Sequence, residues 1–196
     1  MAPQAYIETM DTSRFKSSDD ALDHALATLG RAAQDKTSPM RWPVLCTDGP
    51  SGRIVVLRHF ERETRICRLY SDQRTTKMKG IASHPKAELV FFDPADMLQI
   101  RLSGRARIVT SGPDWDAALQ ALPDAARQDY AALLPPGAQL ASNDAEFDPS
   151  VIAGNFAMIE VSGDTIDWLC LSRNGHRRAR GYWPEHGEPR TDWIVP

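Results

Sequence analysis

The sequence predicts an α+β protein built on a small, closed or partly closed antiparallel β-barrel with peripheral helices. Three observations predict it. Short β-rich runs recur at close spacing with turn clusters between them. The helical patterns are few and do not alternate with those runs, which disfavours a doubly wound parallel sheet. Neither G-x-G-x-x-G nor G-x-x-x-x-G-K-[ST] occurs, so any nucleotide is gripped by something other than a glycine-rich loop.

Taken in order, residues 17–34 put Leu22, Ala25, Leu26 and Leu29 on one face at helical spacing, with Ser17 and Ser18 as caps and acids in the first turn. Pro39 and Pro43 then break the chain. Val44-Leu45-Cys46-Thr47, Arg53-Ile54-Val55-Val56-Leu57-Arg58 and Ile66-Cys67-Arg68-Leu69-Tyr70 read as strands of a meander, with Asp48-Gly49-Pro50-Ser51-Gly52 as a turn. A short polar helix is expected over 75–83, ending at His84-Pro85, followed by strands at 87–92 and 97–109, with a bulge at Gly104. Residues 112–134 return to a helical pattern through Trp115, Leu119 and Leu122, broken by Pro123 and resumed through Tyr130 and Leu133. The Pro-rich stretch 135–150 reads as a loop. Three strands, 156–161, 165–171 and 178–183, lead to a terminal Trp193-Ile194-Val195.

With 196 residues, 42% hydrophobic and 25% charged, the chain is expected to fold as one domain spanning 1–196. A net charge of -3 and 8% aromatic residues offer neither the basic field nor the stacking platform of a nucleic-acid binder. Cys46, Cys67 and Cys170 are far apart and form no C-x-x-C, so they read as reduced core thiols. The histidines at 24, 59, 84, 176 and 186 show no metal-ligand spacing, and no metal is expected. The first residues lack an apolar signal core, and no stretch approaches the ~18 apolar residues of a membrane span. The expected setting is the cytoplasm, without membrane partners.

The chemistry concentrates between residues 53 and 104. Arg53 and Arg58 bracket an apolar run, so strand alternation places them on opposite faces, and a cation on the buried side needs an anionic partner. Tyr70-Ser71-Asp72-Gln73-Arg74-Thr75-Thr76-Lys77 then joins a strand end to hydroxyls, two cations and a helix start. Hydroxyls, a helix N-terminus and a lysine can converge on one phosphate, although a capped helix with solvated cations has the same letters.

In order and spacing, these segments resemble the pyridoxamine 5'-phosphate oxidase superfamily. The matching features are Arg53-x-Val55-x-Leu57-Arg58, Tyr70-Ser71-Asp72 leading to Thr75-Thr76-Lys77, Gln99 on a strand that runs on to Gly104, and Trp168 followed by arginines. The resemblance spans about 44–196 and lies nearer the FMN-binding relatives than the oxidase itself. It implies an FMN-binding split β-barrel of antiparallel Greek-key type, and a homodimer with FMN at the subunit interface. Arg53 and Lys77 would grip the FMN phosphate, helped by Thr75, Thr76 and Arg74. Tyr70 and Ser71 would run along the flavin, with Val55 and Val56 also at the cofactor. Gln99, Trp168 and a C-terminal arginine, Arg178 or Arg180 with Arg178 the better fit by spacing, would reach it across the interface.

Arg58 matches the position that holds the substrate phosphate in the vitamin-B6 oxidase. Departures follow: Arg127 and Tyr130 stand in a different order from that enzyme's phosphate ligands, and Arg173-Asn174-Gly175-His176-Arg177-Arg178 replaces its R-x-H pairing. The expected function is therefore an FMN-dependent oxidoreductase of unknown substrate. The alternative is a non-catalytic flavin- or haem-binding split-barrel module, for which His176 and His186 are the late-chain candidates as an axial ligand.

Overall fold

A computed structural model describes residues 10–47, 49–140, 145–172 and 175–196. Helix α1 (Ser18–Gln34) begins where the sequence places its cap. The Ser17 hydroxyl accepts from the Asp20 amide while Asp20 accepts from the Ser17 amide, a reciprocal box in which the serine alone contributes about 1 kcal/mol. Its buried face carries Ala21, Leu22, Ala25, Leu26, Leu29 and Ala32.

Nine strands form one antiparallel sheet: β1 (Val44–Thr47), β2 (Ser51–Ile54), β3 (Leu57–Glu61), β4 (Ile66–Asp72), β5 (Lys86–Asp93), β6 (Leu98–Val109), β7 (Phe156–Cys170), β8 (Arg177–Tyr182) and β9 (Arg190–Ile194). The order runs β2-β1-β5-β6-β7-β4-β3, with β8 branching from β7 and β9 from β8. The run 53–58 expected as one strand is two. It breaks at Val55, whose amide donates to the Pro43 carbonyl, so β2 pairs with β1 and β3 pairs with β4.

That break shapes the barrel. β2 and β3 are opposite ends of the strand path, yet only Val55 and Val56 separate them. Three residue steps reach at most ~11 Å, so the sheet must curl until its edges meet along a seam. The sheet is not strictly closed, because β7 changes partner along its length. Its first half pairs with β4 and its second half with β8.

The two strands expected at 156–161 and 165–171 are therefore one, β7, running through Gly163. It continues because β7 carries one extra residue, Asp164, bulged opposite Ser103 and Gly104 of β6, so the irregularity falls beside the lone glycine without ending the strand. A Cβ on Gly104 would collide with the Ser162 carbonyl, which makes glycine obligatory at the bulge.

Helix α2 (Thr76–Ser83) buries Met78 and Ile81 in the barrel core. The helical pattern at 112–134 becomes α3 (Pro113–Gln120), α4 (Asp124–Arg127) and a 3-10 turn at Gln128–Tyr130, because Pro123 lacks the amide that would continue α3. With α5 (Ile152–Asn155), these elements bury Leu122, Tyr130, Ile152, Phe156 and Met158 as a second, smaller core outside the barrel. No described helix is long and apolar enough to cross a membrane.

Candidate functional site

The seam gathers the predicted phosphate ligands. Arg53, on β2, donates from Nη1 to Thr47 Oγ1 at 2.7 Å and to the Leu45 carbonyl at 3.3 Å, and from Nη2 to the Ser51 hydroxyl. Lys77, in the first turn of α2, donates to Ser71 Oγ at 2.7 Å and to Thr75 Oγ1 at 3.2 Å. Burial pulls the Lys77 ammonium below its ordinary pKa, and the Arg53 charge lowers it further, against the opposing pull of Asp72. Two cations close enough to repel, neither in an ion pair among the described residues, leave room for a shared anion.

The helix start adds donors. The Thr75 hydroxyl donates to the Asp72 carbonyl and does not cap α2. The Met78 amide closes on the Thr75 carbonyl, while the Thr76 and Lys77 amides, at the first two helical positions, have no side-chain cap. Cations, hydroxyls and free amides together suit a phosphate dianion.

Beyond the cradle lie aromatic rings. Tyr70 packs edge-on to Phe156 at 5.1 Å between centroids, and Tyr130 does so at the same distance. Burial pushes the Tyr70 phenol up and the Tyr130 phenol up to about 12, so both stay protonated near neutrality. The Arg58 guanidinium lies over the Tyr70 ring at 5.3 Å, and its buried Nε has no hydrogen-bond partner among the described residues. An unpaired buried donor of this kind is costly. Arg53 pairs with core-facing Leu45 while Arg58 covers Tyr70, so the two sit on different sides, by a strand break and not by alternation along one strand.

Other expected residues stand elsewhere. Arg74 does not face the cradle: it clasps Asp72 and donates to the Ala132 and Leu133 carbonyls. Trp168 is fully buried, edge-on to Phe15 and Trp193, with its indole N–H aimed at His24 Nδ1, and it has no exposed face for a flavin in this chain. Gln99 and Arg178 do share one cross-strand row, Phe92-Gln99-Leu169-Arg178-Ile194, on the outer face of the sheet. Both Arg178 and Arg180 are held by Asp167. Burial opposes the charge on Asp167, but hydrogen bonds from the two guanidiniums win and hold the carboxyl below its usual range. The Arg173-Asn174 portion of the C-terminal motif lies outside the described residues.

Sequence reasoning missed Thr47 and Ser51, which hold Arg53, and Asp72, which orients Arg74. Ser51 and Asp72 each stand two residues before the arginine they hold, a local signal, and Thr47 comes in across the β1–β2 pair.

The fold thus defines a class: an antiparallel split barrel whose seam gathers two cations and several hydroxyls. Within that class, the chain belongs to the family described as pyridoxamine 5'-phosphate oxidase, FMN-binding domain, whose model matches residues 5–110. No curated protein matches it in sequence.

Among solved structures, a pyridoxamine 5'-phosphate oxidase-related, FMN binding protein from Nostoc punctiforme is 23% identical, with a TM-score of 0.72 over 96% of this chain and 100% of that one. PhzG from Burkholderia lata, in complex with tetrahydrophenazine-1-carboxylic acid, is 14% identical, with a TM-score of 0.71 over 96% and 98%. A Clostridium acetobutylicum protein related to general stress protein 26 of Bacillus subtilis is 10% identical, with a TM-score of 0.53 over 83% and 94%. At these identities the structures are alike in fold.

Proposed function

We propose that the protein is a homodimeric FMN-dependent oxidoreductase whose substrate is not pyridoxamine phosphate. The observation that carries the cofactor assignment is the convergence of Arg53, Ser71, Thr75 and Lys77 at the seam, with neither cation in an ion pair among the described residues. FMN, when bound, supplies the redox chemistry. The chain's own residues hold its phosphate, present the Tyr70–Ser71 strand end to its ring and keep Arg58 beside it. Holding the flavin between a barrel and its copy also limits water at the ring.

The dimer reading rests on an uncovered sheet face. Ile54, Val44, Val90, Arg101, Asp167 and Arg180 form one cross-strand row on it, with Ile54 at 69% exposure and Phe92, in the neighbouring row, at 44%. A self-complementary C2 contact through this face would bring Gln99 and Arg178 of one protomer toward the flavin of the other. Against the vitamin-B6 reaction stands Arg127, which donates to the Leu119, Gln120 and Leu122 carbonyls at the end of α3 and is not free for a substrate phosphate.

The test is reconstitution. Purified protein titrated with FMN is expected to quench flavin fluorescence and to sediment as a dimer, and the bound flavin is expected to be bleached anaerobically by NADH or NADPH. Colourless protein that takes up no FMN overturns the reading. Bound flavin that no nicotinamide or amine donor reduces leaves a binding module instead of an enzyme.

A further inference from the structure

Arg74 sits inside the phosphate motif yet turns away from the cradle. Its backbone N–H and Nε donate to Asp72 Oδ1 at 2.8 and 3.0 Å, and Nη2 reaches Oδ2 at 2.6 Å. The other edge of the guanidinium crosses to the second core, with Nη1 donating to the Leu133 carbonyl and Nη2 to the Ala132 carbonyl, each at 3.0 Å. Asn155, itself buried, donates to the Tyr130 and Ala132 carbonyls while its own carbonyl accepts from the Gln73 amide. Two side chains thus tie the turn 72–75 to the stretch 130–133.

The same turn faces the cradle on its other side. The Asp72 carbonyl accepts from the Thr75 hydroxyl, and that hydroxyl accepts from Lys77. Stretch 130–133 carries Tyr130, which packs on Phe156 and through it on Tyr70. Outside the 3-10 turn it has little regular structure of its own, with Leu133 N to Glu146 O at 2.9 Å and Asp148 N to Ala131 O at 2.8 Å as its backbone ties.

We propose that Arg74 is a positioning residue that couples the phosphate cradle to the Tyr130–Leu133 wall, so that loading the cradle fixes that wall beside the ring-binding side of the site. This rests on the flavin reading. A phosphate held by Lys77, Thr75 and the first-turn amides immobilises turn 72–75, and the planar fork of Arg74 transmits the constraint because it bridges a carboxylate and two carbonyls at once. A lysine could neutralise Asp72 but could not span all three acceptors. By linkage, freeing the wall weakens FMN binding by the same factor that loading protects the wall.

The experiment is hydrogen–deuterium exchange on the full chain, with and without saturating FMN, following the Leu133 and Asp148 amides in the unmodified protein, Arg74→Lys and Arg74→Ala. Loading is expected to slow both amides by at least about fivefold in the unmodified protein. The same comparison should show less than about twofold slowing in Arg74→Lys, with FMN still bound and the Thr47 and Leu89 amides of the barrel unchanged. Arg74→Lys keeps a partner for buried Asp72, so it guards against Arg74→Ala failing to fold. Equal protection in Arg74→Lys, or no FMN-dependent protection in unmodified protein that demonstrably binds FMN, overturns the coupling and leaves the flavin reading standing. Failure of the unmodified protein to bind FMN overturns both.

Discussion

Two pairs of cations lie on this barrel, and their surroundings differ. Arg53 and Lys77 at the seam are surrounded by hydroxyls and carbonyls, with no carboxylate in an ion pair, and Lys77 is pulled below its ordinary pKa by burial and by Arg53. Arg178 and Arg180 on the open face share the carboxylate of Asp167, which is only 6% exposed in its side chain. Among the described residues the first pair has no carboxylate at ion-pair distance; the second carries its own. A cation's presence in a motif therefore says less than whether the fold has already neutralised it. By that criterion the proposed flavin reading puts the phosphate at the seam and expects only a secondary contact from Arg178 or Arg180.

The sharpest way to break the comparison is to truncate one cation of each pair. Lys77→Ala is expected to weaken FMN binding by about 2–3 kcal/mol, or ~30–150-fold, in a fluorescence titration. An unchanged dissociation constant would remove the cradle from the account. Arg53→Ala belongs to the same class, with some loss of folded stability as Thr47 and Ser51 lose their partner.

Arg178→Ala is expected to cost a smaller factor, about three- to tenfold. Arg180→Ala, at a more exposed guanidinium, should stay within about twofold. The reverse order would assign the cross-dimer contact to Arg180. On the opposite edge of that face, Ile54→Asp is expected to shift the sedimenting species from dimer toward monomer and to weaken FMN binding with it. A fully monomeric variant with unchanged FMN affinity would show that each cradle works alone.

The smallest effect is one of pH and belongs to neither pair. His24 is lowered to about 4 by burial, then by Arg14 and Arg31. Its Nδ1 faces the Trp168 N–H and its Nε2 faces the Arg14 guanidinium, both donors, so a protonated ring has nowhere to donate. The unfolded chain takes up this proton near pH 6.5 and the folded chain only near 4. The contribution of His24 is therefore fully present above about pH 6.5 and lost progressively as pH falls to about 4. Urea midpoints at pH 7 and pH 5 should diverge less in His24→Phe than in the unmodified protein.

Much of the fold was legible because its signals are local. Ser17 and Asp20 cap α1 from adjacent positions, Gly104 marks its bulge because no Cβ fits against Ser162, and Pro123 stops α3 where it stands. The failures are equally physical. Val55 and Val56 look like strand interior, and only a barrel whose edges meet turns them into a link between β2 and β3. Gly163 looks like a strand break, and only the bulging of its neighbour Asp164 opposite Ser103 and Gly104 lets β7 run through. In the site, Arg53, Ser71, Thr75 and Lys77 were readable from order and spacing. The tie of Arg74 to the Ala132 and Leu133 carbonyls and the closure of Trp168 among Phe15, His24 and Trp193 were not, since partners distant along the chain settle them.

The sequence by itself determined the antiparallel β-rich class, helices α1 and α2, the family and the residue types able to grip a phosphate, because these depend on periodicity, capping and spacing along the chain. The tertiary structure alone decided which of those cations remain unpaired. Charge satisfaction depends on what lies within a few ångströms in space: among the described residues Arg53 and Lys77 form no ion pair, whereas Asp72 turns back on Arg74 and the pairing of β7 with β8 sets Asp167 between Arg178 and Arg180.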